Sequence, residues 1–139
     1  MYLVYKNTHY MQIIFDRWSR GSVVKEAFII KRFTQLEDFI IRLDQSEFTE
    51  ITAKDTITEL YIGGGNDNYA ISVSLDGTIF DLINEEKDSS RKHVSIVIAG
   101  EQLFYSPIKI VSVENALMAA EYYYEHRAMD PTMKWKKKA

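Results

Sequence analysis

Residues 69–83 read YAISVSLDGTIFDLI, and this stretch predicts the fold more clearly than any other part of the chain. Its first half alternates apolar with small residues, and the apolar positions are Tyr69, Ile71, Val73 and Leu75. A period of two residues is typical of a strand with one buried face. Asp76-Gly77 is a strong signal for a two-residue hairpin turn. We therefore expect Ile79 to Ile83 to return as the antiparallel partner.

Further hairpins on either side extend this pattern into a meander from Ile57 to Tyr105. Upstream, a strand that includes Ile57, Leu60 and Ile62 leads into Gly63–Asp67, which we interpret as a loop because glycine tolerates positive φ. Downstream, a charged loop over residues 84–92 precedes two predicted strands, Val94 to Ile98 and Leu103 to Tyr105. Clusters of β-branched and aromatic residues near the N-terminus predict two more strands, Tyr10 to Phe15 and Val23 to Ile30, joined by a turn at residues 20–22.

Two segments have the spacing of helices instead. Thr34-x-x-Glu37 predicts a capping box at the start of the first helix. Its apolar stripe is Leu36, Phe39, Ile40 and Leu43. The second helix is expected to begin after Ser112 and to end near Arg127. Its apolar face is Ala116, Leu117, Ala120, Tyr123 and Tyr124.

Together these elements predict an α+β fold, with a mainly antiparallel sheet and two principal helices packed on it. Met133 and Trp135 are expected in a final short strand or a packed tail. The chain has 139 residues and no Pro/Gly/Ser-rich linker, so a single domain over residues 1–139 is predicted.

The composition excludes several classes of protein. There is no cysteine, which rules out disulfides, thiolate nucleophiles and thiolate metal sites. No apolar stretch approaches the roughly 20 residues that span a bilayer, and the first residues lack the pattern of a signal peptide. We therefore expect a cytoplasmic protein without a membrane partner.

No motif in the sequence indicates catalysis. Gly63-Gly64-Gly65 precedes a predicted strand, whereas a phosphate-binding loop needs a helix there. His9, His93 and His126 do not have the spacing of metal ligands, and no Gly-x-Ser-x-Gly motif is present. The sequence thus predicts no enzyme, no catalytic residue, no metal and no cofactor. The aromatic run 122–124 could stack on nucleic acid, but packing in the core or at a protein interface is the favoured interpretation.

The distribution of charge is more informative than its sum. The net charge is -3 and the sequence pI is about 5.6, which argues against direct binding of nucleic acid. Between Glu37 and Glu59 there are seven acidic residues against two basic ones. This excess is either ordinary solvated surface or an acidic face directed at a basic partner.

Two features occur in an order that resembles a known family. The first is Glu59-Leu60-Tyr61-Ile62 running into Gly63-Gly64-Gly65-Asn66, then Tyr69-Ala70-Ile71-Ser72-Val73 and Asp76-Gly77. The second is SVENALMAAEYYY at residues 112–124, followed by Trp135. From about Asp55 to Trp135 the chain resembles the Imm1 family of bacterial immunity proteins, found in polymorphic-toxin and contact-dependent growth inhibition systems. It differs where the family's helix usually carries Glu-Ala, since Asn115-Ala116 stands there, and residues up to Gln45 match none of the motifs.

The resemblance implies a non-enzymatic protein that neutralises a toxin by binding its C-terminal domain. Toxins of this class are varied, with nucleases and deaminases prominent, and inhibition would come from blocking the active site or access to the substrate. Because loops near a sheet carry recognition, the acidic residues of two predicted loops are the candidate contacts. They are Glu47, Glu50, Asp55, Glu85, Glu86 and Asp88. The alternative is a small ligand-binding or enzymatic α+β domain of unrecognised chemistry, and the oligomeric state is left open.

Overall fold

Seven strands form one antiparallel sheet in the computed structural model, which describes residues 10–87, 90 and 92–138. The elements in chain order are β1 Met11–Ser19, β2 Ser22–Ile30, α1 Phe33–Arg42, β3 Glu50–Lys54, β4 Thr58–Gly65, β5 Asn68–Leu75, β6 Thr78–Ile83, β7 Val94–Ile98, β8 Glu101–Tyr105, a 3-10 turn at Pro107–Lys109, α2 Val113–His126 and β9 Lys134–Lys137. The sheet has the strand order β2-β1-β3-β4-β5-β6-β9, and β7 pairs only with β8. The predicted α+β fold is confirmed.

The predicted meander from Ile57 to Tyr105 is confirmed over β4, β5 and β6 and is wrong beyond β6. Strand β3, which pairs with the other side of β4, was not predicted. The other neighbour of β6 is β9, in which Trp135 lies opposite Leu82 and packs against the core. The β7–β8 hairpin forms a separate two-stranded sheet, and Ile96 on β7 is fully buried. The sequence pattern correctly predicted the β5–β6 and β7–β8 hairpins. It does not predict which strand lies next to β6, because that pairing joins residues about 50 positions apart.

The turns follow the predicted chemistry with one correction. Arg20-Gly21, Asp76-Gly77 and Ala99-Gly100 each have two successive residues at positive φ, as a type I′ hairpin requires. The predicted loop Gly63–Asp67 is too long, because Gly63–Gly65 belong to β4 and only Asn66 and Asp67 form the turn. Asn and Asp adopt the left-handed conformation more readily than other side chains, so they suffice for this turn.

Both helices pack on one face of the sheet, and the core lies between the helices and the sheet. In α1 the buried positions are Leu36 and Ile40, followed by Leu43 directly after the helix. In α2 they are Ala116, Ala119, Ala120, Tyr123 and Tyr124. The predicted stripes are confirmed, and Tyr123 and Tyr124 are core residues. Tyr122 is half-buried and its ring contacts that of His126, with centroids 4.3 Å apart.

The helix ends agree with expectation in α2 but not in α1. Ser112 Oγ accepts from the backbone N–H of Asn115 at 3.3 Å, as an N-cap does. The Thr34–Glu37 capping box is wrong, because Thr34 lies within the first turn and the side chain of Gln35 accepts from Lys31 N at 2.7 Å and Arg32 N at 3.1 Å. Gln35, two positions before Glu37, thus takes the role expected of Glu37. No helix in the described part of the chain is long and apolar enough to cross a membrane.

Candidate functional site

The face of the sheet opposite the helices carries polar side chains. Side chains directly opposite each other on neighbouring strands point to the same face. The strand register sets Thr52, Tyr61, Ser72 and Asp81 in one transverse row across β3, β4, β5 and β6. The buried apolar residues of these strands, among them Leu60 and Val73, point to the helices instead, whereas Ile79 of β6 lies on the open face opposite Ser74. The sheet therefore has one apolar face that forms the core and one open, polar face.

The β7–β8 hairpin closes one end of this open face. Ile98 lies so close to Gly63 that a Cβ there would be 2.5 Å from Ile98 Cδ1, and Gly100 is equally close to the ring of Trp18. The hairpin backbone is tied down as well, because Val97 N donates to Gln45 Oε1 at 2.9 Å. These contacts hold the hairpin as a fixed wall.

A buried carboxylate organises the strand ends beneath that wall. Asp16 is completely buried and accepts hydrogen bonds from Thr49 N at 2.7 Å, Glu50 N at 3.0 Å and Trp18 Nε1 at 2.7 Å. Its fourth donor is the hydroxyl of Thr49, which in turn accepts from Gly100 N at 3.2 Å. Asp16 thus connects β1, the start of β3 and the hairpin. We did not single it out from the sequence, although an acid inside the apolar run IIFDRW is a signal that could have identified it.

A cavity of about 130 Å³ lies between the open face, the hairpin and the 3-10 turn. The side chains that give it its chemistry are Glu50, Tyr61, Asp81, Tyr105, Lys109 and Lys138. Asp81 is buried, accepts from Ser72 Oγ at 2.6 Å and lies 3.3 Å from Lys109 Nζ and 3.6 Å from Lys138 Nζ. Two ammonium groups thus lie near one carboxylate, which leaves a local excess of one positive charge.

The tyrosines of the cavity remain protonated near neutral pH. Burial, a hydrogen bond to Glu59 Oε1 (2.5 Å) and the charge of that carboxylate raise the pKa of Tyr61 to about 12. Burial, followed by the negative charge of Asp81, raises the pKa of Tyr105 above its ordinary value of 10.0. Phenols with raised pKa values donate hydrogen bonds but are poor bases. The cavity is therefore equipped to hold a small polar molecule and contains no activated nucleophile among its described residues.

The histidines and carboxylates do not form a metal site within the described residues, where no group of three or more potential ligands is close enough together. His93 is exposed, and His126 contacts Tyr122. His9 lies outside the described residues.

The predicted acidic contacts are divided between two ends of the sheet. Glu50 begins β3 opposite Gly63, which is opposite Ala70, and the register of β5 and β6 continues this row to Ile83. Glu85 and Glu86 follow Ile83 after one intervening residue, Asn84, so they lie at the same end of the sheet as Glu50. Ile83 itself is about 14 Å from Glu50, across three strand spacings. Glu47 also lies at this end, since its carbonyl accepts from Trp18 N at 2.8 Å. Exposed Glu101, which was not predicted from the sequence, begins β8 next to Gly100, whose N–H donates to Thr49 Oγ1 at 3.2 Å.

Asp55 lies at the opposite end of β3 and has a structural role there. It accepts from Thr58 Oγ1, Thr58 N and Ile57 N and forms an ion pair with Arg127 Nε at 2.9 Å. Burial alone would raise the pKa of Asp55, but these hydrogen bonds and the Arg127 charge outweigh it and lower the pKa below 3.8. Asp88, the sixth candidate, lies outside the described residues.

The four glutamates at this end of the sheet differ in how far their charge is neutralised. Glu50 pairs with Lys25 at 2.9 Å, and Glu85 lies 3.8 Å from Lys134 Nζ. Glu47 and Glu86 are exposed and form no ion pair with the rest of the described chain. We refer to Glu47, Glu50, Glu85 and Glu86 as the acidic end, and its free charge is concentrated on Glu47 and Glu86.

No protein-family model matches the chain, and no curated protein matches it either.

Proposed function

We propose that the chain is an immunity protein that binds the C-terminal domain of a cognate bacterial toxin in the cytoplasm and neutralises it without chemistry of its own. The toxin acts on nucleic acid, as a nuclease or a deaminase. The sequence resemblance to the Imm1 family motivates the proposal, and the α+β architecture is the one that this resemblance implies.

The observation that carries the proposal is the acidic end. Glu47 and Glu50 are separated from Glu85 and Glu86 by some forty residues of sequence, yet the sheet register sets them at one end of the molecule. An enzyme that binds nucleic acid needs a basic cleft, because phosphates dominate the affinity. An acidic surface both steers such a cleft and complements it after contact.

Rigidity of this end supports inhibition by occlusion. The hairpin and the start of β3 are held by Asp16 and its donors, so little ordering is needed when a partner binds. The acidic end would cover the cleft and exclude the substrate, while leaving the toxin chemically unchanged.

The direct experiment is co-expression with the C-terminal domain of the toxin encoded immediately upstream. We expect restored growth and a stable complex that can be purified. A toxin domain of another specificity, expressed in the same way, is the control. Failure to bind and protect against the upstream toxin would contradict the proposal.

The second candidate function is binding of a small polar ligand, and the cavity around Asp81 favours it. This function would require a ligand whose anionic group contacts Lys109 and Lys138 and whose donors contact Asp81 or Glu50. Thermal unfolding in the presence of amino acids and small phosphorylated compounds tests it. A concentration-dependent rise in Tm that Lys109→Ala abolishes would support a ligand-binding domain, and unchanged Tm values would count against it.

A further inference from the structure

The outermost strand β2 leaves one edge of the sheet open along nine residues. It pairs with β1 on one side only, and its other side meets no other strand of the described chain. Four large apolar side chains on it are exposed to the extent of 41% at Val23, 54% at Val24, 46% at Phe28 and 59% at Ile29. Long apolar edges are rare in monomers, because they invite pairing with another chain.

The opposite edge of the same sheet is protected. In β9, Lys134, Lys136 and Lys137 occupy three of the four positions, and lysines on an edge strand discourage pairing. β2 has two charged residues in nine and no proline. The two edges are thus built differently, and only β2 is suited to receive another strand.

The backbone of β2 offers its free groups in a regular pattern. Ser19 and Ser22 flank the two-residue turn and therefore form a hydrogen-bonded pair, after which bonded and non-bonded pairs alternate along the hairpin. Even-numbered residues of β2 consequently direct their N–H and C=O groups to β1. The outward groups belong to Val23, Lys25, Ala27 and Ile29.

These positions are symmetric about Glu26, the midpoint of Ser22–Ile30. Val23 and Ile29 are each three residues from Glu26, and Val24 and Phe28 are each two residues away. The exposed apolar side chains are therefore placed symmetrically along the strand, with Glu26 at the centre. Phe28 is also held in place, since its ring stacks on Phe15 with centroids 5.8 Å apart.

We propose that the occupant of this edge is a second copy of the chain, with the two β2 strands antiparallel about a two-fold axis at Glu26. Val23 then faces Ile29 of the partner subunit on the open face, and Val24 faces Phe28 of the partner subunit on the helix face. Each of the four residues whose backbone groups face outward then lies opposite another such residue. Every free N–H and C=O group of β2 therefore forms a hydrogen bond with the partner strand. The result is one continuous sheet of fourteen strands, seven from each subunit.

The charges of the strand are compatible with this arrangement. Only Glu26 meets its own copy, and each Glu26 brings Arg17, whose guanidinium lies 2.7 Å from the carboxylate. Lys25 faces Ala27 of the partner subunit and keeps its pairing with Glu50. The dimer does not depend on the proposed function. Of the proposed contact residues, Glu50 pairs with Lys25 of β2, whereas Glu85 and Glu86 follow β6 on the other side of the sheet.

Sedimentation equilibrium of the wild-type protein tests association first. We expect a reversible dimer. Val24→Lys, which places a charge in the interface, should give a monomer. Met118→Lys is the matched control, because Met118 is equally exposed on α2, and it should remain dimeric. A monomeric wild type, or equal dissociation constants for the two variants, would overturn the proposal.

Cysteine cross-linking tests the register. The chain has no cysteine, so a single introduced thiol is unique in each subunit. Glu26→Cys places two thiols across a non-hydrogen-bonded pair with Cα atoms about 4.5 Å apart, within reach of a disulfide. For Ala27→Cys the same register separates the Cα atoms by about 8 to 9 Å, which is too far. Rapid oxidation to a covalent dimer is expected for Glu26→Cys alone, and preferential cross-linking of Ala27→Cys or of neither variant would contradict the register.

Discussion

Asp16 shows how a single residue positions the acidic end. Its carboxylate is fully buried and accepts from the indole N–H of Trp18 in β1 and, at the start of β3, from two backbone N–H groups and the hydroxyl of Thr49. A buried donor left without an acceptor costs about 1 to 3 kcal/mol, so the loss of this carboxylate affects several groups at once.

We therefore predict that Asp16→Ala lowers the free energy of unfolding by at least about 3 kcal/mol. The matched control is Asp38→Ala, at an exposed position of α1, which should stay within about 0.5 kcal/mol of the wild type. Urea denaturation of the three proteins measures both values. Similar stabilities for the two variants would show that the Asp16 network does not hold this end of the sheet.

Tyr123 links stability to alkaline pH. It is completely buried and its hydroxyl lies 2.8 Å from Thr58 Oγ1. Burial is the main cause that raises the pKa of Tyr123 from 10.0 to about 12. Because the folded protein retains this proton to higher pH than the unfolded chain, the contribution to stability is complete below pH 10 and is lost as the pH rises toward 12.

The expected loss from this one group is between about 2 and 3 kcal/mol over that interval. Tyr123→Phe cannot ionise, so its stability should fall less steeply than that of the wild type between pH 10 and 12. Chemical denaturation at a series of pH values gives the two slopes. Parallel curves would mean that Tyr123 ionises equally easily in both states.

Among the secondary-structure elements, the end of β4 is in close contact with two others. Gly65 packs against the chain that follows α1, and Gln45 connects it to the β7–β8 hairpin. Gly65 has φ +136°, and a Cβ there would be 2.4 Å from the carbonyl oxygen of Leu43. Its own carbonyl accepts from Gln45 Nε2 at 2.9 Å, and Gln45 also binds the hairpin through Val97 N. Gly77 likewise has positive φ, at +89°, but nothing lies within 4 Å of an added Cβ.

This difference predicts unequal costs for the same substitution. Gly77→Ala introduces backbone strain alone, about 1 to 2 kcal/mol. Gly65→Ala adds a clash with rigid backbone and should lose several kcal/mol more, measured as the difference in free energy of unfolding in urea. Equal losses would indicate that the chain after α1 moves aside without penalty.

The strands and helices also show which features of the fold can be predicted from local sequence patterns. The alternation at Tyr69–Leu75 and the Asp76-Gly77 turn predicted β5 and β6 correctly, because one buried face and one turn are local properties. The Thr34 capping box was wrong, since the helix begins at Phe33 and Gln35 accepts from the N–H groups of Lys31 and Arg32. The pairing of β9 with β6 depends on the burial of Trp135 against distant residues, and no local pattern contains that information.

For the whole molecule, the sequence indicated which residues belong to the candidate site but not how they are arranged on the surface. Glu47, Glu50, Glu85 and Glu86 were expected as contacts from charge and loop position, and the sheet register sets them at one end. Asp55 had the same sequence signals, yet it lies at the other end of β3 and is engaged by Arg127. The cavity around Asp81 was not anticipated, because its residues come from distant segments and each is unremarkable alone.

The ion pairs at the acidic end determine which of its glutamates keep an uncompensated charge. Lys25 and Lys134 already neutralise part of the charge of Glu50 and Glu85. Glu47 and Glu86 should therefore contribute most to the attraction of a basic cleft, and this attraction acts mainly on the association rate at low ionic strength.

Recognition through the acidic end is tested by the association rate of the cognate toxin domain with a Glu47→Lys/Glu86→Lys variant. The control is Asp38→Lys/Glu125→Lys, which changes the net charge equally at exposed positions on the two helices. At low salt we expect the first variant to associate about tenfold more slowly than the control, a difference that shrinks as salt is added. Equal rates for the two variants at low salt would contradict recognition through the acidic end.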